Sequence, residues 1–176
     1  ADGQREQRLR KADQARGSGY PYRYPTDASA AGIRAAHAGL APDQVTEHDV
    51  RIAGRLELIR RQGGLTFATL RDRTGAIQLF VDTTVVGAAV HRDFDELDRG
   101  DWVGVAGTVM TTRRGELSVR VGEFALLAKA LLPPPDKHRG LTDVEIRYRQ
   151  RYVDLEANER TREIFRIRHA AIHAIR

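Results

Sequence analysis

The sequence predicts a mainly β fold: a five-stranded barrel with one inserted helix, preceded by a helical arm and followed by helices. Three observations predict it. Apolar and polar residues alternate through short segments between Val50 and Leu127, as half-buried strands require. Gly-containing turns separate several of these segments, at Gly63-Gly64, Arg73-Thr74-Gly75 and Arg113-Arg114-Gly115-Glu116. Outside this stretch the spacing turns helical, with few large apolar residues in front of it and an apolar stripe behind it.

The arm comes first. Residues 4–16 (QREQRLRKADQAR) favour a helix that ends at Gly17, with Leu9 its only large apolar residue. A helix so polar is either a solvated arm or a surface that meets phosphate. Gly17 to Asp27 reads as an extended linker, because Pro21 and Pro25 push Tyr20 and Tyr24 out of helical geometry. Its tyrosines are candidates for docking onto the next domain. A short helix follows over Ala28 to His37, then a polar connector from Pro42 to Asp49.

The barrel is expected from 50 to 130. Strand one covers Val50 to Leu58, and Arg60 to Gly64 form the turn. Strands two and three are Leu65 to Asp72 and Gly75 to Asp82. A helix over Val85 to Leu97 leads to strand four, Trp102 to Met110, and strand five, Leu117 to Leu127. The apolar phase of strand five shifts from Val121 to Phe124, which places a bulge at Gly122. Three strands, a helix and two strands is the order of an OB-fold barrel, which binds oligonucleotides through strands two and three and nearby loops.

Strand periodicity makes the binding face explicit. Ile77, Leu79 and Val81 share the buried face, so Gln78 and Phe80 point outward. On the neighbouring strand Phe67 and Thr69 lie opposite Ala68 and Leu70. A ring beside an amide suits an unpaired nucleobase, by stacking and hydrogen bonding. The competing reading puts Phe67 in the core and leaves Gln78 merely solvated.

Composition agrees with a soluble fold and excludes some chemistry. Of 176 residues, 41% are hydrophobic and 30% charged, and no apolar run approaches membrane-spanning length. The N-terminus, ADGQREQRLRK, has no apolar signal-peptide core. Absence of Cys excludes disulfides, thiol nucleophiles and cysteine-bound metal. The net charge of +5 is carried almost wholly by Arg, since the only lysines are Lys11, Lys129 and Lys137. Arg pairs bidentately with phosphate and stacks on bases, which suits a polyanionic partner, though Arg richness alone also fits plain solubility. The acids Asp93, Asp95, Glu96, Asp98 and Asp101 match no metal loop and read as a solvated helix end, and the six histidines lack zinc spacing.

Behind the barrel, residues 131–158 read as a Pro-rich hinge and a helix. Thr142 and Glu145 form a capping-box pattern, and Val144, Tyr148, Tyr152 and Leu155 share a face. Asn158 caps a last helix over 159–176, striped by Ile164, Ile167, Ala171 and Ile175. With no partner for that stripe, the chain is expected to be the front of a larger protein.

These residues carry a resemblance. FATLRDRTGAIQLFV, LDRGDWVGVAGTV, RRGELSV and LLPPPDKHRGLTDVEIRYRQRYVDL are similar to the N-terminal part of bacterial class II (subclass b) lysyl-tRNA synthetases. The likeness is close from Val50 onward and loose before it. The most specific matches are the Asp136-Lys137 hinge, the Gly140-Leu141 step and the helix from Arg147 to Leu155. Two positions depart from the family: Gly64 stands where many relatives have Lys, and Pro134 replaces the hinge leucine.

The resemblance implies that the barrel grips the anticodon of a lysine tRNA. Phe67 resembles the ring under the middle base, Gln78 and Glu116 the groups on its Watson–Crick edge, and Arg60 an assisting arginine. It further implies a cytoplasmic homodimer that activates lysine with ATP and Mg2+ on a catalytic domain starting with the helix at 159–176. No catalytic, cofactor or metal residue is expected in this piece. Other readings remain open: a free-standing OB-fold nucleic-acid-binding protein, the synthetase-like region of a lysyl-phospholipid synthase, or a sister synthetase for aspartate or asparagine.

Overall fold

A computed structural model describes residues 2–135 and 141–176, with backbone only at residue 2 and at 16–18. Asp136, Lys137 and Gly140 of the hinge lie outside the described residues. Two compact units divide the chain, Ala1–Leu132 and Pro133–Arg176.

In the first unit five strands close into a barrel: β1 (Val45–Gln62), β2 (Leu65–Arg71), β3 (Ala76–Asp82), β4 (Trp102–Thr111) and β5 (Leu117–Ala128). Their order around the barrel is β1-β2-β3-β5-β4, with β3 and β5 the parallel pair that closes it. Inner and outer residues alternate strictly along β2 and β3. Ile77, Leu79, Val81, Leu70 and Val105 are fully buried, as is Leu56 from β1. Burial of each such side chain stabilises the fold by about 1.5–3 kcal/mol, which fixes the register, since a one-residue slip would turn them all to water.

The expected bulge is present. Ala106 pairs with Glu123 and Gly107 with Val121, so Gly122 is the extra residue. Gly107 faces the Arg120 carbonyl so closely that an added Cβ would lie 2.1 Å from it. Strand one runs well past its expected ends. Glu47, His48 and Asp49 lie within it, and Arg60, Arg61 and Gln62 are strand rather than turn. Pairing with β4 at one end and β2 at the other supplies the hydrogen bonds that side-chain pattern does not reveal.

The inserted helix is two helices, α3 (Thr83–Val86) and α4 (Ala88–Asp95), after α1 (Asp2–Ser18) and α2 (Ala30–Ala36) in the chain. Gly87, at φ 81°, breaks it. Phe94 and Leu97 are buried in the core, and Phe94 meets Phe124 edge-on at 5.1 Å. Only part of the acidic cluster is a solvated helix end: Asp93 and Glu96 are exposed, but Lys129 bridges Asp98 and Asp101 at 2.6 Å each, and Thr66 donates to Asp95 at 2.6 Å.

Helix α1 is docked on the barrel rather than a free arm. It runs to Ser18, past the expected stop at Gly17, and Gly19 follows at φ 74°. Arg8, only 9% exposed, donates to the carbonyls of Arg99 and Ala130, and Lys11 to that of Glu96. Of the linker tyrosines, Tyr24 lies against Gly104, where a Cβ would meet its ring at 2.6 Å, whereas Tyr22 is fully exposed. Burial pushes the Tyr24 hydroxyl up from its ordinary pKa, against the opposing charge of Arg51.

The second unit holds α5 (Val144–Arg149), α6 (Arg151–Ala157) and α7 (Glu159–Ile175). Asp143, not Thr142, caps α5 by accepting from the Ile146 amide. Gln150 divides what reads as one helix. Asn158 caps α7 as expected. Asp154 is fully buried between Arg147 and Arg151, while Tyr148, Tyr152, Ile164, Ile167 and Ile175 are exposed.

Candidate nucleic-acid interface

The outer face of β1, β2, β3 and β5 carries two rows of side chains set by the strand register. Arg60 lies opposite Phe67, Phe67 opposite Phe80, and Phe80 opposite Arg120. One step along the strands, Leu58, Thr69, Gln78 and Ser118 form the second row. Alternation puts each row on the face away from the core. Phe67 is half-buried on that face, so it is not a core residue, and its ring centroid is 5.3 Å from that of Phe80.

Polar groups around the rings differ in how they are held. Gln78 donates from Nε2 to the Ser118 hydroxyl at 3.0 Å. Arg60 is exposed, and among the described residues its side chain makes no ion pair or hydrogen bond. Its neighbour Arg61 is engaged by the Asp95 and Leu97 carbonyls. Arg120, half-buried at the other end of the row, likewise makes none. Two guanidinium groups thus flank two aromatic rings, an arrangement suited to a strand whose bases stack while its phosphates meet charge.

Glu116 sits apart from the rings. It lies in the β4–β5 turn, two residues before Ser118, so about 13 Å of strand separates its Cα level from the Phe67–Phe80 row. Its carboxylate faces Arg34 at 3.7 Å, and Arg34 also donates to the Ala76 carbonyl at 2.9 Å. Helix α2 is pinned beside the β2–β3 turn. The Ala30 amide donates to Asp72 at 2.8 Å and the Ala31 amide to the Thr74 hydroxyl at 3.0 Å. Burial would raise the Asp72 pKa, but the Ala30, Thr74 and Gly75 hydrogen bonds to its carboxylate outweigh it and hold the carboxyl below its ordinary value. Arg60, Phe67 and Gln78 therefore form one patch, with Glu116 at its edge. Sequence reasoning missed Arg34, Ser118 and Arg120. For Ser118 and Arg120 the alternation of Leu117, Val119 and Val121 was an available signal for the outer face; for Arg34 there was none.

No group of three or more His, Asp or Glu residues that could hold a metal ion occurs among the described residues, and no described helix is long and apolar enough to cross a membrane.

Residues 50–127 match the tRNA anticodon family, described as an OB-fold nucleic acid binding domain, and the barrel has the OB fold. The chain is 42% identical over 174 residues to a lysine–tRNA ligase of Neisseria gonorrhoeae, covering 98% of this chain and 34% of that protein. It is 42% identical over 184 residues to one from Prochlorococcus marinus, covering 98% and 36%. A lysine–tRNA ligase of Dechloromonas aromatica is 49% identical over 128 residues, 73% of this chain and 26% of the relative. The chain is related to the lysine–tRNA ligases, a family of aminoacyl-tRNA synthetases, and spans about a third of the length of the first two.

Proposed function

We propose that the barrel reads the anticodon of a lysine tRNA, as the tRNA-binding part of a lysine–tRNA ligase. The observation that carries this reading is the patch of Arg60, Phe67, Phe80 and Gln78 on the outer face of β1, β2 and β3, where no described residue pairs with the Arg60 guanidinium. The middle anticodon base stacks on Phe67. Gln78 meets its Watson–Crick edge, Arg60 assists from the neighbouring strand, and Glu116 contributes from the edge of the patch. A uracil edge offers an N–H between two carbonyls, so it needs an acceptor flanked by donors, which amide, carboxylate and guanidinium supply together.

On this reading the whole enzyme activates lysine with ATP and Mg2+, transfers it to the tRNA, and works as a homodimer in the cytoplasm. No residue of this chain is assigned to lysine, ATP or metal. A titration against a panel of tRNAs, with an anticodon-swapped lysine tRNA as control, tests the proposal. Preference for the lysine tRNA that is lost on swapping supports it; equal affinity for all refutes it.

A further inference from the structure

We infer that Ser118 is a positioning residue that fixes which end of the Gln78 amide faces the base, and thereby sets discrimination between uracil and cytosine. The inference rests on the anticodon-reading proposal and deepens it.

One proton sets the orientation of the amide. The Ser118 hydroxyl lies 3.0 Å from the Glu116 carbonyl oxygen, which can only accept, so the hydroxyl proton is committed there. The same Oγ lies 3.0 Å from the Gln78 side chain, and with its proton committed it can only accept from that side. The amide must therefore turn its nitrogen to Ser118. Its carbonyl oxygen and second N–H are left for a ligand, and no described group donates to that oxygen.

Ser118 is fully buried, so water does not compete for either bond. Parallel pairing of β3 and β5 places Gln78 and Ser118 directly in register, which makes the arrangement a property of the sheet rather than of a loop. Reversing the amide would set its carbonyl oxygen against the Ser118 Oγ, whose only hydrogen is already donated to Glu116, and leave two facing acceptors without a donor, which is costly.

The exposed amide edge then has a fixed polarity. Stacking on Phe67 holds the base in place, and the amide oxygen opposes its central ring nitrogen. In uracil that nitrogen carries a proton and donates. In cytosine it bears a lone pair and repels the oxygen. An amide free to rotate would offer N–H instead and accept cytosine. Selectivity thus depends on Ser118, which need not touch the RNA.

The test uses the full chain and two RNA stem–loops, with UUU and UCU in the anticodon position, and reads the ratio of their affinities. Ser118→Ala should lower the UUU/UCU ratio by about tenfold, chiefly by tighter UCU binding. Ser118→Thr, which keeps the hydroxyl, should retain the ratio. In a Gln78→Ala background Ser118→Ala should change the ratio no further. If Ser118→Ala fails to fold, Ser118→Cys, similar in size and a weak hydrogen-bonder, should show the same loss. A folded Ser118→Ala or Ser118→Cys chain with an unchanged ratio overturns the inference while leaving anticodon reading intact. A native chain with no preference for UUU overturns both.

Discussion

Phe67 and Phe80 meet across the β2–β3 ladder with ring centroids 5.3 Å apart and planes inclined at 57°. Both are half-buried on the outer face, while their strand neighbours Ala68 and Leu79 are closed off in the core. Truncating the first ring therefore removes the proposed stacking surface and little of the barrel's support. Phe67→Ala should weaken binding of a UUU stem–loop by about 1–3 kcal/mol, with a nearly unchanged melting temperature. Leu79→Ala, at a fully buried position, should instead cost about 2–5 kcal/mol of stability. Calorimetric melts and RNA titrations of the two variants separate these effects. Undiminished RNA binding by Phe67→Ala would end the stacking role.

Arg60 offers a second, independent check, because its guanidinium makes no ion pair or hydrogen bond with a described residue. On the anticodon-reading proposal, RNA would gain its charge without first breaking an ion pair with a described residue. Affinity should fall steeply with added salt, and each phosphate contact removed should shallow the log–log slope by about 0.7 for a single strand. Arg60→Ala is expected to show that smaller slope if the side chain meets phosphate. An unchanged slope with lower affinity would assign it to a base edge. Equal affinity at every salt concentration would remove it from the interface.

The alternation that exposes Phe67 and Gln78 is legible in the sequence because strand side chains have a period of two and one face must be dry. The Gly122 bulge is legible for the same reason, as a break in that period. Features decided by tertiary partners are not. Residues 45–49 look like a connector, yet they join β1 because β4 is there to pair with them. Arg8 looks like one more charge on a polar helix, yet the Arg99 and Ala130 carbonyls draw it into burial. Ser118 sits in an ordinary alternating strand, and only the Gln78 and Glu116 distances reveal that its hydroxyl has a direction.

Lys129 should prove essential to the end of the barrel on which α1 docks. Its side chain is 3% exposed and lies 2.6 Å from both Asp98 and Asp101, the latter fully buried. Removing the ammonium leaves a carboxylate in the interior with, among the described residues, the Asp98 and Ala130 amides to stabilise it. Lys129→Met is expected to cost about 3–5 kcal/mol. Arg113→Ala, which breaks a pair with Asp43 at 4.0 Å on the open surface, should cost no more than about 1 kcal/mol. Urea unfolding of both variants measures the contrast, and similar losses would show that burial does not govern these pairs.

Asp154 supplies a pH-dependent test confined to the second unit. Burial alone would raise its pKa, but a hydrogen bond and the charge from Arg147, a hydrogen bond from Thr161 and the charge of Arg151 outweigh it, so the folded value is depressed. Arg147 Nε and Arg151 Nη1 lie 2.9 and 2.6 Å from its oxygens. Unfolded, the group titrates near the ordinary value of about 3.9. A carboxylate with a lower pKa when folded contributes its full stability above that ordinary value, and the contribution disappears as pH falls through the folded value. The difference in stability between the native chain and Asp154→Asn should therefore be constant from neutrality to about pH 5 and shrink as pH drops below about 4. Asp72 and Asp98 titrate in the same range in both proteins, so they cancel from the difference. Far-ultraviolet circular dichroism melts of the two proteins across that range provide the measurement. A difference that stays constant down to the lowest pH would mean that the Arg147–Asp154–Arg151 cluster contributes nothing through its charge.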